Sequence, residues 1–462
     1  MIWMVGMNPS KAVRLVAALL GVVFVLLPIP VMAASPQAPR IEIEPKQALL
    51  DGRVKIILQD FPAKQLVTVR VRSTNGLGQI WESHAEFRTD RHGRVNVTTQ
   101  PPISGTYRHA DASGLFWSMS LPAGETVKLD PARKIQKPAI FQITADVNGQ
   151  TVVTAMLQRL FIAPGVERIP VHDGVVRGTF FVPAGKGSHP GIIVLSGSEG
   201  GLNEADAAFL ASKGYAALAL AYFNYEDLPK TLENIPLEYF EAGINWLKLR
   251  REVRSNEIAV MGASRGGELA LLVGSTFRQI KAVVAIAPSG VCWASVNDPR
   301  QAAWTYQGRP LPFMGTQDLT PDQQKQAGKI LQTAPLSLTP LFQMQMENRT
   351  AVEKASIPVE KINGPILLIS GDDDQLWPST ILADMVMERL KRVKRRFPDR
   401  HLAYEGAGHF FPLPNLPATV NNLGDPDTKA EIALGGDPEH TAAAGADAWA
   451  RIVEFLHTTL TR

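Results

Sequence analysis

Three residue types that together activate a serine nucleophile occur in this chain in the order serine, acid, histidine. Ser264 lies in Gly262-Ala263-Ser264-Arg265-Gly266-Gly267. An apolar run, Ile258-Ala259-Val260-Met261, precedes it, and a helix-forming run, Glu268-Leu269-Ala270-Leu271-Leu272-Val273, follows. That context is strand, tight turn, helix, in which a serine is held in a strained backbone conformation with its hydroxyl exposed above a sheet. Glycines flank it because a Cβ there would clash where strand and helix nearly touch. The next backbone N–H, that of Arg265, points to where an oxyanion would form. A plain glycine turn could carry the same six letters, but the strand before and the helix after favour the nucleophile.

Downstream, Gly364-Pro365-Ile366-Leu367-Leu368-Ile369-Ser370-Gly371 reads as a buried strand ending in Asp372-Asp373-Asp374. Asp374 lies far enough past Gly371 to turn back toward a histidine and is the expected acid, with Asp373 second. Asp372 reads as part of a solvated turn. His409 follows a short strand, Leu402-Ala403-Tyr404, and the loop Glu405-Gly406-Ala407-Gly408. Both groups thus fall on loops at strand ends, where catalytic groups gather in open α/β sheets. Among the other histidines, His401 reads as a surface residue opening a strand, and His457 lies in a terminal helix. His84, His92 and His109 fall in a different region. A serine hydroxyl is too weak a nucleophile without a base. Here His409 would take its proton, and the acid would fix the imidazole tautomer.

A second oxyanion donor should come from the loop after an earlier strand. Pro190-Gly191-Ile192-Ile193-Val194-Leu195 is that strand and Ser196-Gly197-Ser198-Glu199-Gly200-Gly201 its loop. The backbone N–H groups of Ser198, Glu199 and Gly200 are the candidates beside that of Arg265. The loop lacks the Gly-Lys-Ser/Thr of a P-loop and is not a dinucleotide fingerprint. No Cys/His cluster with metal spacing occurs, so neither a cofactor nor a metal is expected. Substrate-binding residues are not legible.

The elements that must position these residues alternate between apolar strands and helices from about Gly178 to the C-terminus, the pattern of a sheet buried on both faces. Expected helices cover Ala205 to Ala211, Tyr239 to Leu249 and Ala442 to Leu456. Residues 291–359, rich in proline, read as a lid-like insertion between strands. Residues Ile41 to Phe161 differ: short alternating runs such as Val67-Thr68-Val69-Arg70-Val71, separated by turn residues, suggest an all-β sandwich. Gly114-Leu115-Phe116-Trp117-Ser118-Met119 reads as part of its core. Ala163-Pro164-Gly165 is the expected boundary, giving a β-sandwich over 35–163 and an α/β domain over 164–462.

The 462 residues are 45% hydrophobic and 20% charged, globular values. Lys11 and Arg14 precede an apolar run, Leu15 to Leu27, which Pro28-Ile29-Pro30 breaks before Val31-Met32-Ala33-Ala34. That is the pattern of a secretory signal peptide, expected over 1–34. The run is shorter than the ~20 apolar residues of a spanning helix. The formal charge of +3 shrinks when those two cations leave, and no nucleic-acid partner is expected. Lys391-Arg392-Val393-Lys394-Arg395-Arg396 reads as the basic end of a surface helix. Cys292 is the only cysteine. Export without disulfides suits a bacterial periplasm.

Several blocks closely resemble the type I acyl-CoA thioesterase and bile acid-CoA:amino acid N-acyltransferase family. They are Tyr222-Phe223-Asn224-Tyr225-Glu226-Asp227-Leu228-Pro229-Lys230, Leu237-Glu238-Tyr239-Phe240-Glu241-Ala242, the Ser264 block, Gly371-Asp372-Asp373-Asp374-Gln375-Leu376-Trp377 and Gly406-Ala407-Gly408-His409. The resemblance extends to Gly114–Met119. It implies an α/β-hydrolase fold domain preceded by an all-β sandwich domain, and hydrolysis of acyl-CoA to free acid and CoA or acyl transfer to an amino acid. Carried over, the triad falls on Ser264, Asp374 and His409. The amidating branch has cysteine at the nucleophile; serine here favours hydrolysis. Because acyl-CoA is cytoplasmic, the leader keeps open an exported carboxylesterase or peptidase. A binding protein with a dead site is the reading outside enzymes, and an intact Ser, Asp and His argue against it.

Overall fold

Strand-forming runs that are apolar on every residue need cover on both faces, and the central sheet provides it. The computed structural model describes residues 37–127, 138–424 and 431–461; the leader lies outside the described residues. Eight strands form one sheet: β1 (Glu167–Asp173), β2 (Val176–Val182), β3 (His189–Leu195), β4 (Ala216–Ala221), β5 (Val253–Ala263), β6 (Ile280–Ile286), β7 (Ile366–Gly371) and β8 (Arg400–Tyr404). Their spatial order is β1-β2-β4-β3-β5-β6-β7-β8. β2 runs antiparallel to both neighbours and the strands from β4 to β8 are parallel. This is the α/β-hydrolase arrangement.

The two-residue period of a strand splits each one between two cores. Val283 and Ala285 of β6 and Ile366 and Leu368 of β7 join one hydrophobic cluster. Ala282, Val284, Leu367 and Ile369 join the other. Helices α2 (Leu237–Lys248), α3 (Arg265–Thr276) and α4 (Ser379–Arg392) cover the first face through Phe240, Leu269 and Val386. Helices α1 (Glu204–Ala211) and α5 (Pro438–Leu460) cover the second through Phe209, Trp449 and Phe455. α5 is longer than the pattern suggests; Pro438 starts it and Asp437 caps it, accepting from the N–H groups of Glu439 and His440.

β1 was not legible beforehand. It is an edge strand with only Val171 buried, so its sequence lacks an apolar signature. The segment between β6 and β7 holds short helices Pro321–Ile330, Thr339–Met346 and Arg349–Ala355 and a small sheet through Trp304–Tyr306. The basic cluster ends a surface helix as expected, with Lys391 and Arg392 in the last turn of α4, but Arg395 departs from that reading. α4 ends at Arg392, and Arg395 turns inward, pairing with Asp399 at 2.8 Å and donating to the Ile362 and Gly364 carbonyls. A guanidinium carries enough donors to close several carbonyls at once, so this one clamps the approach to β7.

Before β1 lie two further sheets. Arg40–Glu44, Lys55–Gln59 and Val95–Asn96 form a three-stranded antiparallel one. The other has six strands in the order Gln47–Leu49, Gln150–Leu160, Ala139–Val147, Leu66–Thr74, Ile80–Arg88, Ser104–Gly105. Val67, Val69 and Val71 point inward while Arg70 and Arg72 face solvent. Ile56 and Leu58 of the first sheet share one hydrophobic cluster with Val69, Phe87 and Phe141 of the second. Leu115, Phe116, Trp117 and Met119 are buried in that same cluster. Among the described residues, no helix is long and apolar enough to cross a membrane.

Candidate active site

Strand order reverses at β3, whose successor β4 lies on one side and β5 on the other. Such a switch point opens a crevice beyond the carboxyl ends of the strands. Ser264 stands at that end of β5, the Ser196–Gly201 loop at that of β3, Asp372–Asp374 beyond β7, and His409 beyond β8.

Ser264 has φ 58° and ψ −125°, a conformation that non-glycine residues avoid. Neighbouring bonds hold it there. Its N–H donates to the Ile286 carbonyl at 2.8 Å, and its carbonyl accepts from Gly267 at 2.8 Å and Glu268 at 3.1 Å. A Cβ on Gly262 would overlap the Gly266 carbonyl, and one on Gly266 would overlap the Ser196 carbonyl. The glycines are therefore a condition of the close approach between β5, α3 and the β3 loop.

His409 Nδ1 lies 2.8 Å from Asp374 Oδ2, with the histidine side chain 9% exposed and the aspartate 2%. An ionised carboxylate only accepts, so Nδ1 carries the proton and Nε2 is the basic nitrogen. Asp374 Oδ1 is held by the N–H groups of Leu376 at 3.0 Å and Trp377 at 3.1 Å. Its two neighbours serve the loops instead. Asp372 Oδ1 accepts from Gly406 N at 2.7 Å, and Asp373 Oδ2 from Gly436 N at 2.9 Å. One of the three carboxylates thus meets the imidazole. Asp372 is an exposed turn residue, as read from the sequence, and it also ties the acid loop to the histidine loop.

Among the described residues, no hydrogen bond joins Ser264 Oγ to the His409 ring; such contacts commonly tighten only around a substrate. Both groups are nevertheless referenced to the same dipeptide at the end of β6. Ser264 N–H bonds Ile286, while the Trp377 indole donates to the Ala287 carbonyl at 3.1 Å and stands edge-on to the His409 ring at 6.0 Å. The backbone of Leu434 adds a second tie, accepting from His409 N at 2.9 Å and Gln375 N at 3.3 Å.

Of the candidate oxyanion donors, the Arg265 N–H opens α3, where the first turn has no intrahelical acceptor. Gly200 N–H is directed into its own loop, donating to the Gly197 carbonyl at 3.2 Å. That turn removes Gly200 from the candidates; Ser198 and Glu199 stay on the crest of the loop. The Tyr222 hydroxyl steadies the loop by donating to the Ser196 carbonyl at 2.8 Å.

Two features escaped sequence reasoning. Beneath the nucleophile, Arg265 and Glu268 form a buried ion pair at 2.9 Å. Glu268 also accepts from the Trp304 indole at 2.6 Å, and Arg265 donates to the Trp293 carbonyl at 3.0 Å. Burial pushes the Glu268 carboxyl up to about 7, opposed chiefly by Arg265. The pair ties α3 to the 291–315 segment. Two charges three residues apart at the start of a helix whose next five residues are all apolar are the sequence signal for it. His401, expected at the surface, is the second. It lies between Ser370 Oγ at 2.8 Å and Asp384 Oδ1 at 3.0 Å. These are the atom types of a triad, but Ser370 is fully buried and also bonds Thr380. No substrate can reach it, and the chain of bonds anchors β7 to α4.

Comparison with known proteins follows from this geometry. Residues 51–173 match the acyl-CoA thioester hydrolase/BAAT N-terminal region, and residues 235–462 match the BAAT/acyl-CoA thioester hydrolase C-terminal region. The chain is 33% identical over 435 residues to mouse acyl-coenzyme A thioesterase 1, covering 91% of this chain and 96% of that protein. It is 33% identical over 419 residues to the human acyl-coenzyme A thioesterase 1, covering 89% and 94%.

Proposed function

The chain belongs to the BAAT/acyl-CoA thioester hydrolase family, and from that premise we propose that it cleaves acyl thioesters, acyl-CoA to free acid and CoA, through an acyl-serine formed on Ser264. The observation that carries this is the 2.8 Å His409–Asp374 contact set across the crevice from a serine at φ 58°. His409 Nε2 takes the Ser264 proton as Oγ attacks the thioester carbonyl. The Arg265 N–H and an N–H of the Ser198–Glu199 crest receive the developing oxyanion. The same histidine then gives the proton to the departing thiolate. Water then attacks the acyl carbonyl while His409 takes its proton; the acyl–Oγ bond breaks as His409 returns that proton to Ser264 Oγ, releasing the acid. Asp374 stays ionised throughout and stabilises the imidazolium.

Serine at position 264 favours water over an amine as acceptor, because an oxygen ester is less electrophilic toward amines than a thioester. Purified protein given dodecanoyl-CoA with excess glycine or taurine, beside an aryl dodecanoate, tests the assignment. The expected products are free acid and CoA, with the thioester preferred. Substantial N-acyl amino acid would make it a transferase, and turnover of the aryl ester alone would make it a carboxylesterase, the reading an exported enzyme would suit.

We further read 35–163 as a β-sandwich domain, on the strength of the hydrophobic cluster its two sheets share, and 164–462 as the catalytic domain with an insertion over 291–359. The leader read from Lys11 to Ala34 supports export to a bacterial periplasm. Mass spectrometry of protein from its native host should find a chain beginning just after Ala33 or Ala34. A Met-initiated chain in the membrane fraction would show an anchor instead.

A further inference from the structure

Between the N-terminal sheets and α5 lies a cavity of about 1040 Å³ whose lining includes none of Ser264, Asp374 and His409. Phe209, Leu413, Leu416, Trp449 and Val453 give it an apolar wall. Its size reaches the upper range for small-molecule sites.

The charged residues on the lining are unequal: Glu44, Arg53 and Lys55 are exposed to solvent. Lys213 pairs with Asp51, and Asp111 accepts from the Trp117 indole at 2.6 Å. Arg159 is different. It is 1% exposed, donates only to the backbone carbonyls of Leu49 and Gly52, and leaves Nε without an acceptor. Among the described residues, no carboxylate pairs with it. Desolvation by burial pulls its guanidinium down to about 10, only partly offset by Asp51. The Trp449 indole N–H on the same lining also lacks an acceptor. A buried cation without a counter-charge costs stability, and a buried neutral donor without a partner adds a smaller cost. An anion reaching Arg159 would supply the acceptor its Nε lacks.

We propose that this cavity is a binding site for a long-chain carboxylate, its head group accepting from Arg159 and its chain lying along Phe209, Leu413 and Val453. Among the described residues, Arg159 is the one buried cation without an ion pair on the lining, and a single carboxylate matches its charge. The apolar wall matches an alkyl chain. The acid released by the proposed hydrolysis is such a molecule, and in that respect the inference rests on that reading.

Dodecanoate titrated calorimetrically into the full chain tests it, with dodecanol as the uncharged control. The wild-type protein should bind dodecanoate, and dodecanol should bind roughly tenfold more weakly or worse. Arg159→Met should weaken dodecanoate by roughly 10- to 100-fold, the scale of a charge-assisted hydrogen bond. Ala446→Trp, at an exposed position of α5 on the lining, should crowd the cavity mouth and weaken binding, and it keeps the test decisive if Arg159→Met fails to fold. Dodecanoyl-CoA turnover should be unchanged by Ala446→Trp. No binding to wild-type protein, or equal binding by wild type and Ala446→Trp, overturns the proposal. Absence of thioester turnover in the wild type would sink the hydrolase reading while leaving the binding result to stand.

Discussion

Replacing Ser264 with alanine should lower turnover of dodecanoyl-CoA by roughly 10⁴-fold or more, because the members of a triad act as a unit and the remaining donors only bind the oxyanion. The fold should survive. Ser264 is half-buried and its backbone bonds to Ile286, Gly267 and Glu268 do not involve Oγ. The φ of 58° costs alanine about as much as serine, since neither lacks a Cβ. The measurement is kcat together with circular dichroism. A variant with wild-type spectrum and most of its activity would remove Ser264 from the chemistry.

The second large effect separates three adjacent carboxylates. Asp374→Asn should also cost on the order of 10⁴-fold in kcat, because an amide facing Nδ1 favours the wrong imidazole tautomer. Asp372→Asn should cost less than roughly tenfold. Its oxygen accepts from Gly406 N, an asparagine oxygen can do the same, and one such bond contributes only about 1 kcal/mol. Steady-state kinetics of both variants at one pH decide the matter. Equal losses, or the reverse ranking, would mean that Asp374 is not the residue that orients His409.

Much of this site was legible because its parts announce themselves locally. The Gly-x-Ser-x-Gly turn needs its glycines for contacts made within a few residues and with the adjoining loop, so the letters around Ser264 carry the geometry. Gly406-Ala407-Gly408-His409 and the Asp trio follow runs whose apolar character marks strand ends. The choice of Asp374 also followed from spacing, since its neighbours lie nearer the strand end and meet the loop backbone first.

What stayed hidden depends on burial, which single residues do not advertise. Arg395 and His401 look like surface residues by type, yet each is drawn inward by acceptors that come from elsewhere in the chain: the 359–364 turn for one, Ser370 and Asp384 for the other. The edge strand β1 has one buried residue and no apolar signature. Gly200 was a reasonable oxyanion donor until the loop's own turn took its N–H.

The sequence by itself pointed to the alternation of apolar strands and helices, the nucleophile turn and the candidates Ser264, His409 and the Asp372–Asp374 trio, because periodicity, turn chemistry and short spacings are local properties. Only the tertiary structure decided which carboxylate faces the imidazole. It alone showed that Ser264 and the Trp377 that stands against His409 both bond Ile286-Ala287, that Arg265 and Glu268 pair in the core, and that Arg159, beside a cavity, makes no ion pair among the described residues. All but the Arg265–Glu268 pair depend on groups tens to hundreds of residues apart meeting where water is excluded, and there the cost of an unpartnered charge or donor, negligible in a solvated chain, becomes large enough to fix the arrangement.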